Sequence, residues 1–366
     1  QGAHAPGQPR RGRRDCAAAA RGRGAALNHA ARGEALAQIL AGCWRAAPEP
    51  LSLLPDRALT ELLLRSGCGA MAYRRLRRQA HAEFPWLEPL HEAHRLTALQ
   101  ARMREAPLAR VFAVLRDAGI EPILGKGWAL ARCYPSPSLR PMGDIDLYVP
   151  AALAERAQAA LDATGDAPVD LHAGFGELDD RAAADLVARS ECVALGDVAV
   201  RVFGASDHLR LVCLHLLRHG ALRPLWLVDV AVLLETRRSD FDWDAFRAGE
   251  PWRTEAAFQA LALAHAVLGA SLEGVPRREG ATNPRRWIAA AVLREWGQGR
   301  SPHGARRPFA LERPARWPHA LRLRWPNAVE ATYATGAPWS GAARLLVQLE
   351  AVAKRALRQF RGRRQW

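Results

Sequence analysis

The chain has 366 residues, of which 49% are apolar, and this is enough for two or three domains with cores of their own. Its formal net charge of +15 and its pI of about 10.8 favour anionic partners such as a nucleotide, a nucleic acid or an acidic peptide. No apolar run reaches the ~18–20 residues that a membrane-spanning helix needs, which excludes a transmembrane protein of that kind.

The cysteines predict a reducing compartment. Six are scattered along the chain without a C-x-x-C pair, so neither a zinc site nor a disulfide framework is indicated. Residues Cys16–Ala20 are too short for the apolar core of a signal peptide and are flanked by arginine. We therefore expect a cytoplasmic protein.

Composition and hydrophobic periodicity divide the chain into five predicted regions. These are a disordered basic tail at 1–26, an N-terminal helical region at 27–119, a catalytic core at 120–205, a helical subdomain that completes the cleft at 206–273, and an Arg/Trp/Pro-rich segment with a C-terminal helix at 274–366.

The N-terminal helical region ends in a long predicted helix. Apolar residues recur at helical spacing from about Leu90 to Ala118, and Gly119 provides a stop. Pro107 lies inside this pattern, so we expect the helix to be kinked or split there.

The predicted core alternates strands and helices. We expect strands at Ile120–Leu124, Asp144–Val149 and Pro168–His172, helices at Gly127–Cys133 and Pro150–Thr164, and a hairpin at Cys192–Phe203 that turns at Gly196-Asp197.

The part of the chain after the core reads as mostly helical. We expect helices at Asp207–His219, Pro224–Glu235, Trp252–Leu268 and Ala342–Phe360. The Arg/Trp/Pro segment at 284–326 leaves two interpretations open: a surface for single-stranded nucleic acid, or a helical cap with its tryptophans in the core. The basic end of the last helix could also rest on an anionic membrane.

The strand with Asp144 and Asp146 carries the strongest chemical signal. Alternation places both carboxylates on one face, where they could share one or two divalent cations for a phosphoryl or nucleotidyl displacement. Asp170 supplies a third carboxylate if its strand lies beside this one. The predicted metal ligands are therefore Asp144, Asp146 and Asp170, and the predicted metal is Mg²⁺, with Mn²⁺ as the alternative.

A lysine between two glycines precedes these carboxylates. Gly125, Lys126 and Gly127 would lie at the start of a helix, where free amides favour phosphate, and Arg140 could reach the same phosphates. Lys126 is one of only two lysines among 52 basic residues, which indicates a place where a compact ammonium is needed.

Three histidines and one aspartate are further candidates. His172 lies two residues after Asp170 on the same strand face and could position the acceptor or the α-phosphate. His215 and His219 are one helical turn apart, a spacing that suits a metal, acceptor binding or a polar patch in which Asp229 pairs with one of them.

The order of these motifs resembles the nucleotidyltransferase superfamily with a DNA polymerase β-like fold. Over about residues 90–270, the local sequence is similar to that of an uncharacterised bacterial branch of this superfamily. The resemblance lies in Leu124 to Gly127, Tyr134-Pro135, Arg140-Pro141-Met142-Gly143-Asp144-Ile145-Asp146-Leu147, Val169-Asp170-Leu171-His172, Leu214-His215 to His219 and Val228-Asp229-Val230.

The resemblance implies an α+β fold, with a small mixed sheet flanked by N-terminal and C-terminal helical regions. It also implies transfer of a nucleotide from an NTP to an acceptor that is a small molecule or a peptide. Two departures stand out. The superfamily more often has Gly-Gly or Gly-Ser where this chain has Lys126-Gly127, and the segment before Asp170 is short, so Glu177 or Asp166 remain alternatives for the third carboxylate.

Two other functions remain open at this point. One is an RNA-modifying or toxin-like nucleotidyltransferase that acts on nucleic acid, which the net charge of +15 favours. The other is a non-catalytic nucleotide-binding module, against which the intact Asp-x-Asp and the lysine argue.

Overall fold

The computed structural model describes residues 28–51, 53–77, 85–163, 169–276, 284–300, 324–341 and 344–362. The predicted basic tail, Asp166 and most of the Arg/Trp/Pro segment lie outside the described residues. The described chain is an α+β structure with one mixed sheet between helical layers, so the predicted fold class is confirmed.

In the described part of the chain, four helices precede the sheet. They are α1 (His29–Leu40), α2 (Arg57–Arg65), α3 (Gly69–Leu76) and α4 (Leu87–Asp117). Asn28 and Asp56 cap the first two, each accepting a hydrogen bond from a backbone amide three residues on.

The expected split of the long helix at Pro107 is wrong, because α4 runs through this residue without interruption. The proline removes one backbone donor from the helix. Leu108, Val111, Phe112 and Leu115 follow directly and are buried against the sheet. Burial of four large side chains contributes far more than the lost hydrogen bond costs.

The sheet has five strands in the order β3-β2-β1-β5-β4. In chain order, the strands and the helices between them are β1 (Ile123–Leu124), α5 (Gly127–Ala131), β2 (Ile145–Val149), α6 (Ala154–Asp162), β3 (Val169–Ala173), α7 (Ala183–Arg189), β4 (Glu191–Leu195) and β5 (Val198–Val202). Strand β2 is antiparallel to β1 and parallel to β3, whereas β4 and β5 form the predicted hairpin.

The two faces of β2 have different surroundings, as its alternating sequence predicts. Ile145, Leu147 and Val149 belong to the apolar layer that includes residues of α4 and α6. Tyr148 lies in a second, smaller cluster with Phe175 and others. Because Asp146 shares the parity of Tyr148, it lies on the face away from the α4 layer.

Seven helices follow the hairpin among the described residues. They are α8 (Ala205–Arg218), α9 (Pro224–Thr236), α10 (Trp243–Arg247), α11 (Pro251–Leu268), α12 (Arg286–Gln298), α13 (Ala328–Thr335) and α14 (Arg344–Gly362). Within the described ranges, no helix is both long and apolar enough to cross a bilayer.

The first helix packs against the C-terminal half of the chain through two glycines. A Cβ atom at Gly33 would lie 1.8 Å from the carbonyl oxygen of Leu293, and one at Gly297 would lie 1.7 Å from that of His29. Only glycine permits α1 and α12 to approach this closely. The helices before and after the sheet thus share one apolar cluster.

The described tryptophans of the Arg/Trp/Pro segment pack into the protein. Trp296 is buried and donates a hydrogen bond from Nε1 to the carbonyl oxygen of Ala221 at 2.8 Å. Trp287 stacks on Trp339 and donates to its carbonyl oxygen. For these residues the packing agrees with the helical-cap interpretation.

Buried His208 on α8 generates a testable prediction. Burial, with the nearby charges of Arg132 and Arg140, lowers the pKa of His208 to about 3. The unfolded chain, with a histidine pKa of about 6.5, binds a proton between these values that the folded protein does not. The free energy of unfolding should therefore fall as pH falls below 6.5, by about 2 kcal/mol at pH 5 from this residue.

The measurement is urea unfolding of the wild type and His208→Gln from pH 5 to pH 8. The free energy of unfolding of the variant should lack the pH dependence that His208 contributes, whatever the absolute stability of the variant. If the free energy of unfolding depends on pH equally in both proteins, His208 is not buried in its neutral form.

Candidate active site

The predicted pairing of the two acidic strands is present. In the parallel register of β2 and β3, Asp146 stands opposite Asp170 and Tyr148 opposite His172. All four side chains therefore lie on one face of the sheet. The ring of His172 stacks on Tyr148, with centroids 4.3 Å apart, which holds the imidazole between the two carboxylates.

Asp146, Asp170 and His172 could together hold a metal ion. Each offers one ligand atom, and these atoms lie within 4.8 Å of one another. His172 Nε2 is 3.4 Å from Asp146 Oδ1 and 3.3 Å from Asp170 Oδ2. Within the described ranges, no other group of three or more His, Cys, Asp or Glu residues meets the same criterion.

Asp144 lies one residue before β2 and is exposed. It is not a member of this group of three, in which His172 stands where we expected Asp144. Two carboxylate oxygens and one imidazole nitrogen form a donor set that could hold a divalent cation.

Lys126 points its ammonium at one of these carboxylates, that of Asp146. Its Nζ atom is 2.6 Å from Asp146 Oδ1, and only 13% of the lysine side chain is exposed. The backbone of Lys126 has φ 40°, a left-handed conformation that costs a non-glycine residue about 1–3 kcal/mol. Such strain is retained at functional positions, which agrees with the significance given to this lysine.

The charges around Asp146 keep it ionised. Burial alone would raise the pKa of Asp146, but the hydrogen bond from His172 and the charge of Lys126 outweigh it, so this pKa is lowered. A carboxylate that stays charged at neutral pH is ready to bind a cation.

Glycine is required on each side of Lys126 for a different structural reason. A Cβ atom at Gly125 would lie 2.6 Å from the ring of Tyr148, so the packing of that ring requires glycine. Gly127 has φ 33°, a conformation that glycine adopts freely. The amide of Gly125 also donates to the carbonyl oxygen of Asp146 at 3.0 Å, which ties this loop to β2.

Arg140, which we expected to reach phosphates, is buried and hydrogen-bonded within the protein. Its Nε and Nη2 atoms donate to the two carboxylate oxygens of Asp229 at 2.7 and 2.9 Å, and Nη1 donates to the carbonyl oxygen of Gly127 at 3.2 Å. Tyr134 donates its hydroxyl to the same Asp229. The proposed pairing of Asp229 with His215 or His219 is therefore wrong.

His215 pairs instead with Glu177. The His215 Nδ1 atom is 3.1 Å from Glu177 Oε1, and Arg218 approaches the same oxygen at 3.3 Å. Burial would raise the pKa of Glu177, but His215, Arg218 and Lys126 lower it. Held in this way, Glu177 orients His215, and it is not a member of the group formed by Asp146, Asp170 and His172.

His219 completes this polar patch. Its ring lies 4.6 Å from that of His215 and 5.2 Å from that of Trp226. Burial and the neighbouring His215 and Arg218 lower the pKa of His219 to about 3, so it is neutral. Burial lowers the pKa of His215, and the charges of Lys126 and Asp146 act on this pKa in opposite directions.

Sequence reasoning missed several residues here. Tyr148 could have been found from the alternation that singled out Asp146. Trp128 and Arg104 line a crevice that also contains Gly127, Asp144 and Asp146. Arg104 lies on α4, remote from the motifs in the sequence, and no local pattern marks it.

Comparison with known proteins identifies one matching family. Residues 55–169 and 165–269 match the sequence profile of a family described as uncharacterised nucleotidyltransferase. Neither the curated proteins nor the solved structures provide a significant match. The two matched segments together span more than half of the chain and contain every candidate site residue discussed above.

The buried Arg140–Asp229 pair leads to a prediction about stability. Arg140→Ala would leave the Asp229 carboxylate buried without its cation, and breaking such a pair costs about 3–5 kcal/mol. Arg57, which pairs with Glu61 at the surface, is the matched control. Arg57→Ala should cost less than about 1 kcal/mol.

Urea denaturation of both variants measures the difference. If Arg140→Ala unfolds at the wild-type urea concentration yet loses nucleotide affinity, Arg140 acts on the ligand and the structural role is refuted.

Proposed function

Because the chain belongs to the family of uncharacterised nucleotidyltransferases, we propose that it moves a nucleoside monophosphate from an NTP to an acceptor and releases pyrophosphate. The acceptor group is a hydroxyl or phosphate of a small molecule or peptide. The observation that carries this proposal is the convergence of Asp146, Asp170 and His172 beside Lys126.

The cation site follows from these donors. Asp146, Asp170 and His172 would hold a divalent cation, with Asp144 as a further carboxylate at the start of β2. When bound, Mg²⁺ or Mn²⁺ supplies Lewis-acid stabilisation of charge on the phosphate oxygens. The low pKa of Asp146 keeps this residue available as a ligand at neutral pH.

In this proposal, Asp170 accepts the proton. An acceptor oxygen attacks the α-phosphorus, the bond between the α-phosphorus and the bridging oxygen breaks, and pyrophosphate leaves with that electron pair. The proton of the acceptor hydroxyl goes to Asp170, whose side chain is 51% exposed and thus accessible. His172 stacks on Tyr148, which holds its Nε2 atom close to both carboxylates.

Lys126 would serve the triphosphate. Helix α5 has only five residues, so the lysine charge is a stronger phosphate-binding feature than the helix dipole. Without ligand, Lys126 neutralises Asp146. With a cation held by Asp146, the ammonium of Lys126 would be free to pair with the phosphates instead.

The central test removes both carboxylates of the Asp-x-Asp motif. Asp144→Asn combined with Asp146→Asn should weaken metal-dependent NTP binding by at least about 100-fold, since even indirect support of a metal is worth 10–100-fold. The fold should remain intact. Calorimetry with each NTP and Mn²⁺ measures binding, with Asp162→Asn on the exposed end of α6 as control.

Activity is measured by incubating the protein with labelled NTPs and cell extract, followed by mass spectrometry of what gains the nucleotide. Transfer that persists in the double variant at the wild-type rate would refute the proposed function. Loss of transfer in the Asp162→Asn control as well would point to damage of the fold.

Lys126→Met separates the two roles of the lysine. The variant keeps an unbranched side chain on the same strained backbone but removes the charge. Mn²⁺ should bind more tightly, because its competitor at Asp146 is gone. The NTP should bind about 10–100-fold more weakly, because a charge-assisted contact worth about 1.5–3 kcal/mol is lost.

Electron paramagnetic resonance of free Mn²⁺ measures the first effect and calorimetry the second. If both affinities change in the same direction, Lys126 does not exchange between carboxylate and phosphate.

A further inference from the structure

The crevice beside Asp144 contains an arginine without a partner. Arg104 is half-buried on α4, and among the described residues no hydrogen bond or ion pair engages its guanidinium. Other half-buried arginines of this chain are paired, as Arg189, Arg201 and Arg253 illustrate. A half-buried guanidinium that no described residue neutralises is suited to an anionic ligand.

The crevice is also lined by negative charge, just before the start of β2. Asp144 lines the same space and forms no ion pair with Arg104, nor with any other described residue. Leu108, Trp128 and Met142 provide the apolar surface around them, which strengthens any charge interaction by excluding water.

A ligand that fits this arrangement must carry both signs of charge. A divalent cation bound to a phosphate does so, with the cation toward Asp144 and Asp146 and a phosphate oxygen toward the guanidinium. Arg140 cannot bind this phosphate oxygen, because its N–H groups already donate to Asp229, Gly127 and Pro141.

We propose that Arg104 binds a phosphate oxygen of the nucleotide, so that α4, outside the sheet, completes the triphosphate site. This inference rests on the proposed function and adds a subsite to it. The planar guanidinium can donate two parallel hydrogen bonds to phosphate, which a lysine cannot reproduce. Lys126 and Arg104 would then hold the triphosphate from two sides.

The test compares ligands that differ in phosphate content. Calorimetry in Mn²⁺ measures adenosine, AMP, ADP, ATP and inorganic triphosphate against the wild type, Arg104→Ala, Arg104→Gln and Arg104→Lys. Arg102→Ala is the matched control, because Arg102 is exposed on the same helix two residues earlier. Arg104→Gln keeps a polar side chain in case the alanine variant folds poorly.

We expect Arg104→Ala and Arg104→Gln to bind ATP and inorganic triphosphate about 10–100-fold more weakly, as for the loss of a hydrogen bond to a charged group. Arg104→Lys should recover part of this loss. Affinity for adenosine should not change, and Arg102→Ala should behave as the wild type.

Wild-type ATP affinity in Arg104→Ala, together with lost affinity in the Asp144/Asp146 double variant, would overturn this inference and leave the proposed function standing. If the double variant also binds and transfers normally, the proposed function fails with it. An equal loss for adenosine and ATP would assign Arg104 to the nucleoside and refute phosphate binding.

Discussion

The bidentate ion pair between Arg140 and Asp229 supports the geometry of the whole site. It joins the loop before β2 to helix α9 in the interior of the protein, with Tyr134 as a further donor to the same carboxylate. The remaining nitrogen of Arg140 holds the carbonyl oxygen of Gly127. One buried guanidinium therefore fixes two segments relative to each other: the turn that carries Lys126 and the strand that carries Asp146.

The second constraint is local and electrostatic. Lys126, Asp146, His172 and Asp170 form a compact set of alternating charges and donors at one end of β2 and β3. The stacking of His172 on Tyr148 and the close approach of Gly125 to the same ring give this set its shape. A group that is pre-arranged in this way reorganises little when a cation and phosphate arrive, which is the main requirement for electrostatic catalysis.

The core could be predicted from the sequence because its signals are local. Alternation over Asp144–Val149, the hairpin turn at Gly196-Asp197 and the glycine stop after α4 each depend on neighbouring residues only. Two other features were decided by distant parts of the chain. Pro107 did not interrupt its helix, and Asp229 did not pair with a histidine, because buried packing and an arginine from another segment decided both.

By itself, the sequence determined the α+β class, the family resemblance and the parity that puts Asp146 and Asp170 on matching strand faces. These follow from periodicity and from motif order, which a linear chain carries in full. Only the tertiary structure decided which positively charged side chain pairs with which negatively charged group. The sequence does not distinguish an arginine that is buried and paired with an aspartate, such as Arg140 with Asp229, from one that lines a crevice, such as Arg104. That difference is set by the surrounding dielectric and by partners brought together in folding.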